Sequence, residues 1–153
     1  MSDLNEQDIE VFIGAIGSYF KQITNEKAII GSAYLASDNF PINDFTGMIK
    51  VGADYEGALY FSAPSIMLRH LLTVMKENNQ SEENLLDAVG EIANTISGNA
   101  RQYFGENMTI SIPEKIAGIP ESLVQRVRTH AYIIIIKWKH YSASLIIDMI
   151  RKP

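Results

Sequence analysis

The sequence contains no cysteine, which excludes disulfide bonds and thiolate metal sites. Its three histidines, His70, His130 and His140, are scattered, and none has a histidine partner at the i,i+4 spacing of a zinc-binding helix. No basic cluster is longer than Arg151-Lys152, and thirteen Lys and Arg residues against eighteen Asp and Glu residues give a net charge of −5. This charge balance argues against a protein that binds nucleic acid through the phosphate backbone.

Long apolar segments are also missing. The longest apolar run, Ala131–Ile136, is far too short to span a bilayer. The first ten residues, MSDLNEQDIE, are acidic, whereas a secretory signal is basic and then apolar. We therefore expect a cytoplasmic protein that makes no membrane contact. With 153 residues, 46% hydrophobic and 20% charged, the chain is expected to form one globular domain, 1–153, with its own core.

The usual sequence motifs of enzymes are absent as well. The chain has no GxGxxG, GxxxxGK[ST], GxSxG or HExxH pattern. No Ser or Thr stands beside a candidate base, so nucleophilic catalysis has no support in the sequence. Asp87 and Glu91, at i,i+4, could act as an acid/base pair, but repelling carboxylates on an exposed helix face are commoner. No second carboxylate pair completes a glycosidase site.

Hydrophobic periodicity and turn residues predict an α+β fold in which helices pack on a largely antiparallel sheet. The predicted helices are one from near Asp3 to Lys21 with Ser2 or Asp3 as its cap, one from Ala63-Pro64 to Asn78-Asn79, Glu82–Gly105, and a short one from Pro120. The predicted strands are Lys27–Leu35, a hairpin of Phe45–Asp54 and Gly57–Ser62 around 55–57, Met108–Ile112, and a final hairpin of Thr129–Lys137 and Ser142–Ile150.

The stretch Glu82–Gly105 predicts a long amphipathic helix that Ser81 can cap. Glu91 and Asn94 lie one turn apart on it, so their side chains project together. Gly98 shares their face, although an interior helix glycine costs about 1 kcal/mol relative to alanine. Its position suggests that a second protein approaches the backbone there; a solvated face with a tolerated glycine is the alternative. At 100° per residue, one sector roughly 80° wide holds Glu83, Asp87, Glu91, Asn94, Gly98 and Arg101.

The run DAVGEIANTISGNA, residues 87–100, resembles the CheC/CheX/FliY family of chemotaxis phosphatases, and its CheX members in particular. That family's pattern is an acidic or serine residue, three residues, Glu, two residues, Asn, and a proline further on. Asp87, Glu91 and Asn94 match it in type and spacing. The flanking stretches TGMIKVGADYEGALYFSAP (46–64) and ISIPEKIAG (110–118) also resemble this family. Pro113 lies closer to the asparagine than usual and Pro120 lies further away; we favour Pro113, without a catalytic role, because it ends a predicted strand.

The resemblance implies a CheC/CheX-like fold and hydrolysis of the aspartyl phosphate on a phosphorylated CheY-type response regulator. Asn94 would orient the attacking water, because a carboxamide both accepts and donates hydrogen bonds. Glu91 would dock the regulator by pairing with one of its lysines. Asp87, Gly98 and Arg101 form the predicted partner-binding set, with Gly98 as the gap that admits the regulator's loops. No cofactor is expected on this chain, because the Mg²⁺ would belong to the regulator.

Two alternatives remain open at the level of sequence. The same helix face could serve a non-catalytic adaptor that binds a response regulator or a flagellar switch component. The resemblance also implies a homodimer. The segment Tyr132–Ile136, which is apolar on both faces, is compatible either with a buried edge between two copies or with a central strand of the chain's own sheet.

Overall fold

A computed structural model describes residues 4–36, 40–127 and 131–153. It shows the predicted α+β fold, with helices packed on a β-sheet. In chain order the elements are α1 (Glu6–Thr24), β1 (Ile29–Leu35), β2 (Phe45–Ala53), β3 (Tyr55–Ala63), α2 (Ser65–Val74), α3 (Glu82–Phe104), a 3-10 turn (Gly105–Asn107), β4 (Met108–Ile110), β5 (Glu114–Ala117), α4 (Glu121–Arg126), β6 (Tyr132–Trp138) and β7 (Tyr141–Arg151).

Within the described ranges, the strands form one seven-stranded sheet in the order β1-β6-β7-β3-β2-β4. Every pairing is antiparallel, and β5 joins β2 beside β4. Strand β6 lies between β1 and β7, so the backbone of Tyr132–Ile136 is paired on both sides. The central-strand interpretation of this segment is therefore confirmed. Its interpretation as an open edge for a second copy is wrong.

Helices α1, α2 and α3 cover one face of the sheet. Phe12 of α1 and Val89 and Ile96 of α3 are completely buried in the same core cluster as Ile49 of β2 and Leu59 of β3. The burial of each of these side chains stabilises the fold by about 1.5–3 kcal/mol. This layer therefore holds α3 firmly against the central strands. The position of α3 is thus set by its apolar side, and its polar side is left outward.

The opposite face of the sheet has a smaller core. Met48, Tyr60 and Ile146 point from β2, β3 and β7 into this second cluster. Leu123 of α4 and Val127 close it. Because α3 lies on the other side of the sheet, this smaller core is separate from the candidate site on α3. No helix in the described part of the chain is long and apolar enough to cross a membrane.

The first helix begins later than the sequence indicated. The predicted caps, Ser2 and Asp3, lie outside the described residues, and Asn5 caps α1 instead. Its side chain accepts from the Asp8 backbone N–H at 2.9 Å, and the Asp8 carboxylate accepts from the Asn5 N–H at 2.9 Å. The same carboxylate binds both Nη atoms of Arg151 on β7, at 2.7 and 2.8 Å. A partly buried ion pair therefore joins α1 to the last strand.

Several other boundaries differ from the prediction. The first hairpin turns at Asp54, one residue before the predicted turn, and Ala53 accommodates it with φ of 64°. Helix α2 ends at Val74 rather than near Asn78, because Lys76 adopts a left-handed conformation with φ of 62°. The predicted strand Met108–Ile112 ends at Ile110. Strand β5 was not predicted, whereas the short helix after Pro120 is present as α4.

Candidate functional site

Helix α3 forms the scaffold of the candidate site. It is 23 residues long, or about 35 Å at 1.5 Å per residue. Ser81 caps it by accepting a hydrogen bond from the Asn84 backbone N–H at 3.3 Å. Glu82 and Glu83 lie in its first turn, where negative charge favours the helix dipole. The predicted bounds of this helix are therefore confirmed to within one residue.

Glu91 and Asn94 stand on the outward side of α3. Both are exposed, whereas Ile92 and Ala93 between them are buried in the core. The backbone between the two polar residues is thereby held by the packing of Ile92 and Ala93. The carboxylate and the carboxamide consequently project one turn apart from a rigid, solvent-facing helix. Such a pair can contact the surface of a second protein.

Asp87 has a partner on its own chain. Its carboxylate lies 2.5 Å from the ammonium of Lys115 on β5, and the two side chains are 55% and 40% exposed. An ion pair this exposed contributes about 0–1 kcal/mol, so a partner protein can share or displace it at little cost. Asp87 lies on the same outward face as Glu91, one turn towards the N-terminus of the helix.

Gly90 explains how Lys115 reaches Asp87. A Cβ atom at Gly90 would lie 3.0 Å from Cγ and 3.2 Å from Cε of Lys115, and 3.4 Å from Cβ of Pro113. Without a side chain at Gly90, the lysine stem and the proline ring lie directly against α3. Pro113 is therefore beside the candidate site, whereas Pro120 precedes α4 on the other face of the sheet.

Gly98 and Arg101 continue the same face towards the C-terminus. Apart from the adjoining backbone of α3 itself, no heavy atom lies within 4 Å of a Cβ built on Gly98, so this position is open space. Arg101 is exposed but donates from Nε to the carbonyl oxygen of Met108 at 2.7 Å. That hydrogen bond ties the end of α3 to β4, and it gives Arg101 a structural role beside its predicted partner-binding role.

A cleft runs along the other flank of Glu91, between α1, the end of α2 and α3. We call it the α1–α3 cleft; its volume is about 440 Å³. Tyr19 of α1 lines it and is only 4% exposed. Burial raises the pKa of the Tyr19 hydroxyl, and the negative charge of Glu91 raises it further. The hydroxyl therefore lies within electrostatic range of the predicted docking carboxylate.

The sequence did not indicate Tyr19, Lys115 or the α1–α3 cleft as parts of the site. Tyr19 is one of several buried residues of α1, and no local pattern distinguishes it from the others. Lys115 lies on the strand that was not predicted. Both reach α3 through contacts between residues far apart in the chain, which no local motif records.

The fold defines the class of protein. A solved CheC-like superfamily protein from Shewanella sp. PV-4 matches with a TM-score of 0.78 at 20% identity over 96% of this chain and 99% of that one. Chemotaxis protein CheX from Vibrio vulnificus matches with a TM-score of 0.76 at 19% identity over 94% and 99%. CheX in a CheX–CheY–BeF3–Mg²⁺ complex from Borrelia burgdorferi matches with a TM-score of 0.73 at 18% identity over 92% and 96%. The fold is therefore of the CheC-like type.

Comparison with protein-family models identifies the family within this fold class. The model for chemotaxis phosphatase CheX matches residues 45–137, which is more than half of the chain. The chain therefore belongs to the CheX family of chemotaxis phosphatases. Among curated proteins, none matches the sequence significantly.

Proposed function

We propose that this protein hydrolyses the aspartyl phosphate of a phosphorylated CheY-type response regulator. The observation that carries the proposal is the exposed pair of Glu91 and Asn94 on helix α3, whose opposite side is buried in the core. A carboxylate and a carboxamide on an outward helix face cannot enclose a small substrate. They can enter the site of another protein. The membership in the CheX family supports the same activity.

Asn94 supplies the chemistry in this proposal. Hydrolysis of an acyl phosphate by water depends mainly on the position of the water and on charge neutralisation. The Asn94 side chain can accept a hydrogen bond from the water and donate one, and so hold it in line with the phosphorus. The Mg²⁺ ion that neutralises the phosphoryl oxygens belongs to the regulator. This chain therefore needs no nucleophile of its own.

Glu91 supplies the docking contact. A carboxylate close to a phosphoryl group is repelled, so it is better placed to pair with a lysine at the regulator's site. The Borrelia burgdorferi relative was crystallised as a CheX–CheY–BeF3–Mg²⁺ complex, which supports a CheY-like partner for the present chain. Asp87, Gly98 and Arg101 extend the docking face on either side, over about 21 Å of helix.

The decisive experiment separates docking from hydrolysis. Asn94→Ala is expected to bind a BeF3⁻-activated regulator as tightly as wild type but to lower stimulated phosphate release by about 100-fold, because the water is no longer held. Glu91→Gln is expected to weaken binding. Asn78→Ala, an exposed asparagine in the α2–α3 connection, is the matched control and should leave both unchanged. Phosphate release by Asn94→Ala at the wild-type rate would contradict the mechanism.

The same assay distinguishes a phosphatase from a non-catalytic adaptor. A phosphatase empties the phosphorylated pool when present well below the regulator concentration. An adaptor that binds through the same α3 face changes that pool only at stoichiometric amounts. The Glu91 and Asn94 pair favours the phosphatase, because binding alone requires no carboxamide at this position.

We also propose a homodimer, as the family resemblance implies. Strand β1 is one edge of the sheet: in the described residues it pairs only with β6, and Ile29, Tyr34 and Leu35 are 67%, 42% and 51% exposed. An edge strand with exposed apolar side chains favours pairing with another chain. Sedimentation equilibrium at micromolar concentration is expected to give twice the 17.1 kDa chain mass. A monomer mass would contradict this proposal.

A further inference from the structure

Lys115 of β5 lies beside the proposed docking face, and the mechanism proposed above gives it no role. Its stem lies over Gly90, with Cγ and Cε 3.0 and 3.2 Å from the position of a Gly90 Cβ. Gly90 stands one turn after Asp87 and one turn before Asn94, so both are its neighbours on the helix surface. Because Cβ atoms one turn apart are about 5–6 Å from each other, Cε of Lys115 lies within about 9 Å of the Asn94 Cβ. The ammonium is therefore close to the carboxamide that is proposed to hold the attacking water.

The base of the Lys115 side chain is fixed by packing between β5, β2 and α3. Lys115 stands opposite Gly47 of β2 in the antiparallel register. A Cβ at Gly47 would lie 2.5 Å from the carbonyl oxygen of Val89, so α3 rests directly on the β2 backbone at this point. Gly47 and Gly90 together bring β5 close to the helix. The lysine stem is consequently held against α3, although the side chain remains 40% exposed.

The Lys115 ammonium has hydrogen-bonding capacity to spare. A lysine carries three N–H donors, and within the described ranges Lys115 uses one of them, on Oδ1 of Asp87 at 2.5 Å. The Asp87 side chain is itself 55% exposed, and such an exposed pair holds its two partners only weakly. Lys115 can therefore take a further acceptor from an incoming protein while it keeps Asp87 or after it has left it.

A cation at this position offsets an unfavourable charge on the docking face. Asp87 and Glu91 present two negative charges to a partner whose phosphoryl group carries about two more at neutral pH. Arg101, further along α3, has its Nε bound to the Met108 carbonyl oxygen. The Lys115 ammonium lies against one of the two carboxylates, and a lysine ammonium is a common ligand of phosphate groups. It can therefore turn repulsion of the phosphoryl group into attraction.

We propose that Lys115 recognises the phosphoryl group of the regulator: its ammonium donates a hydrogen bond to a phosphoryl oxygen while Asn94 holds the water. This inference rests on the proposed function. It makes Lys115 the residue that distinguishes the phosphorylated regulator from the unphosphorylated one. The contact forms when the two proteins bind and persists through hydrolysis, so it contributes to affinity and leaves kcat unchanged.

The test uses the full chain and compares two states of the CheY-like regulators of the same organism, one activated with BeF3⁻ and Mg²⁺ and one with Mg²⁺ alone. Lys115→Met keeps the apolar stem and removes the charge. It is expected to raise the Kd of the activated state by about tenfold and that of the other state by less than about twofold, because a charge-assisted hydrogen bond is lost only in the first. The KM for the phosphorylated regulator should rise by about tenfold as well, with kcat unchanged. Lys115→Arg keeps the charge and should retain most of the preference for the activated state.

Lys50→Met is the matched control. Lys50 is an exposed lysine of β2 on the face of the sheet opposite α3, two residues from Met48 of the second cluster, and its replacement should leave both Kd values unchanged. A purely structural role of the ion pair between Lys115 and Asp87, or a contact of Lys115 with a carboxylate of the regulator, would weaken both states alike. Equal weakening of both states by Lys115→Met, or no weakening of either, overturns the Lys115 proposal. The proposed function then still stands if Asn94→Ala lowers kcat. If the wild-type protein neither binds the regulators nor speeds phosphate release, both are overturned.

Discussion

Replacement of Gly98 by alanine separates helix stability from docking. Gly98 is an interior residue of α3, and no heavy atom lies within 4 Å of a Cβ built there. The methyl group therefore fits without strain inside the chain. Because alanine favours a helix over glycine by about 1 kcal/mol, Gly98→Ala should raise the free energy of unfolding by about that amount. For a domain of this size the melting temperature should rise by roughly 2–4 °C.

The same methyl group should impair the function. It projects from the outward face, one turn beyond Asn94, where the proposed regulator approaches the α3 backbone. Overpacking of a fitted contact costs about 1–3 kcal/mol, which corresponds to roughly 5- to 150-fold weaker regulator binding. A more stable protein with lower affinity is a combination that general misfolding cannot produce.

Gly14→Ala is the matched control for Gly98→Ala. Gly14 is an exposed interior residue of α1 and also has no heavy atom within 4 Å of its Cβ position. It should show the same stabilisation in urea unfolding, with an unchanged Kd for the BeF3⁻-activated regulator. If Gly98→Ala is stabilised and binds as tightly as wild type, the docking role of Gly98 is wrong. If it is destabilised, the described helix geometry at Gly98 is wrong.

Three further substitutions test the structure around the site. Gly47→Ala should lower the free energy of unfolding by about 1–3 kcal/mol, because its Cβ would lie 2.5 Å from the Val89 carbonyl oxygen and push α3 from β2. Asp8→Asn should lower the free energy of unfolding, measured in urea, by about 1–3 kcal/mol, because the charge-assisted hydrogen bonds between Asp8 and the partly exposed Arg151 are weakened. Tyr19→Phe should reduce the loss of stability above about pH 10. Burial raises the pKa of the Tyr19 hydroxyl, so the unfolded chain releases this proton at a lower pH than the folded chain. The unfolded state of the wild type is therefore favoured as the pH rises, and the variant lacks this effect.

Each of these variants has a control and a contradicting result. Gly14→Ala, Glu10→Gln and Tyr103→Phe make the same chemical changes at exposed positions and should alter stability by about 1 kcal/mol or less. A Gly47→Ala protein as stable as wild type would mean that α3 and β2 are further apart than described. An Asp8→Asn protein as stable as wild type would contradict the ion pair between Asp8 and Arg151. Identical alkaline stability curves for Tyr19→Phe and wild type would contradict the buried hydroxyl.

Much of α3 could be predicted because its signals are local. Ser81 marks the start of the helix, Gly105 marks its end, and apolar residues recur at helical spacing between them. The same periodicity places Glu91 and Asn94 together on the outward face. The α+β class follows from similarly local alternation in the strands. Strand β5 escaped prediction because its four residues are mostly exposed and show no alternation; only pairing with β2 makes them a strand.

The sequence by itself determined the long helix, its exposed carboxylate and carboxamide, and the family motif that these residues form. Each depends on residues within a few turns of one another, and the backbone geometry of a helix converts such spacing directly into a shared face. Only the tertiary structure decided that Lys115 pairs with Asp87, that Tyr19 lies buried near Glu91, and that an acidic cleft opens beside the docking face. These contacts join residues 28 or more positions apart, and they exist because core packing brings α1 and β5 against α3.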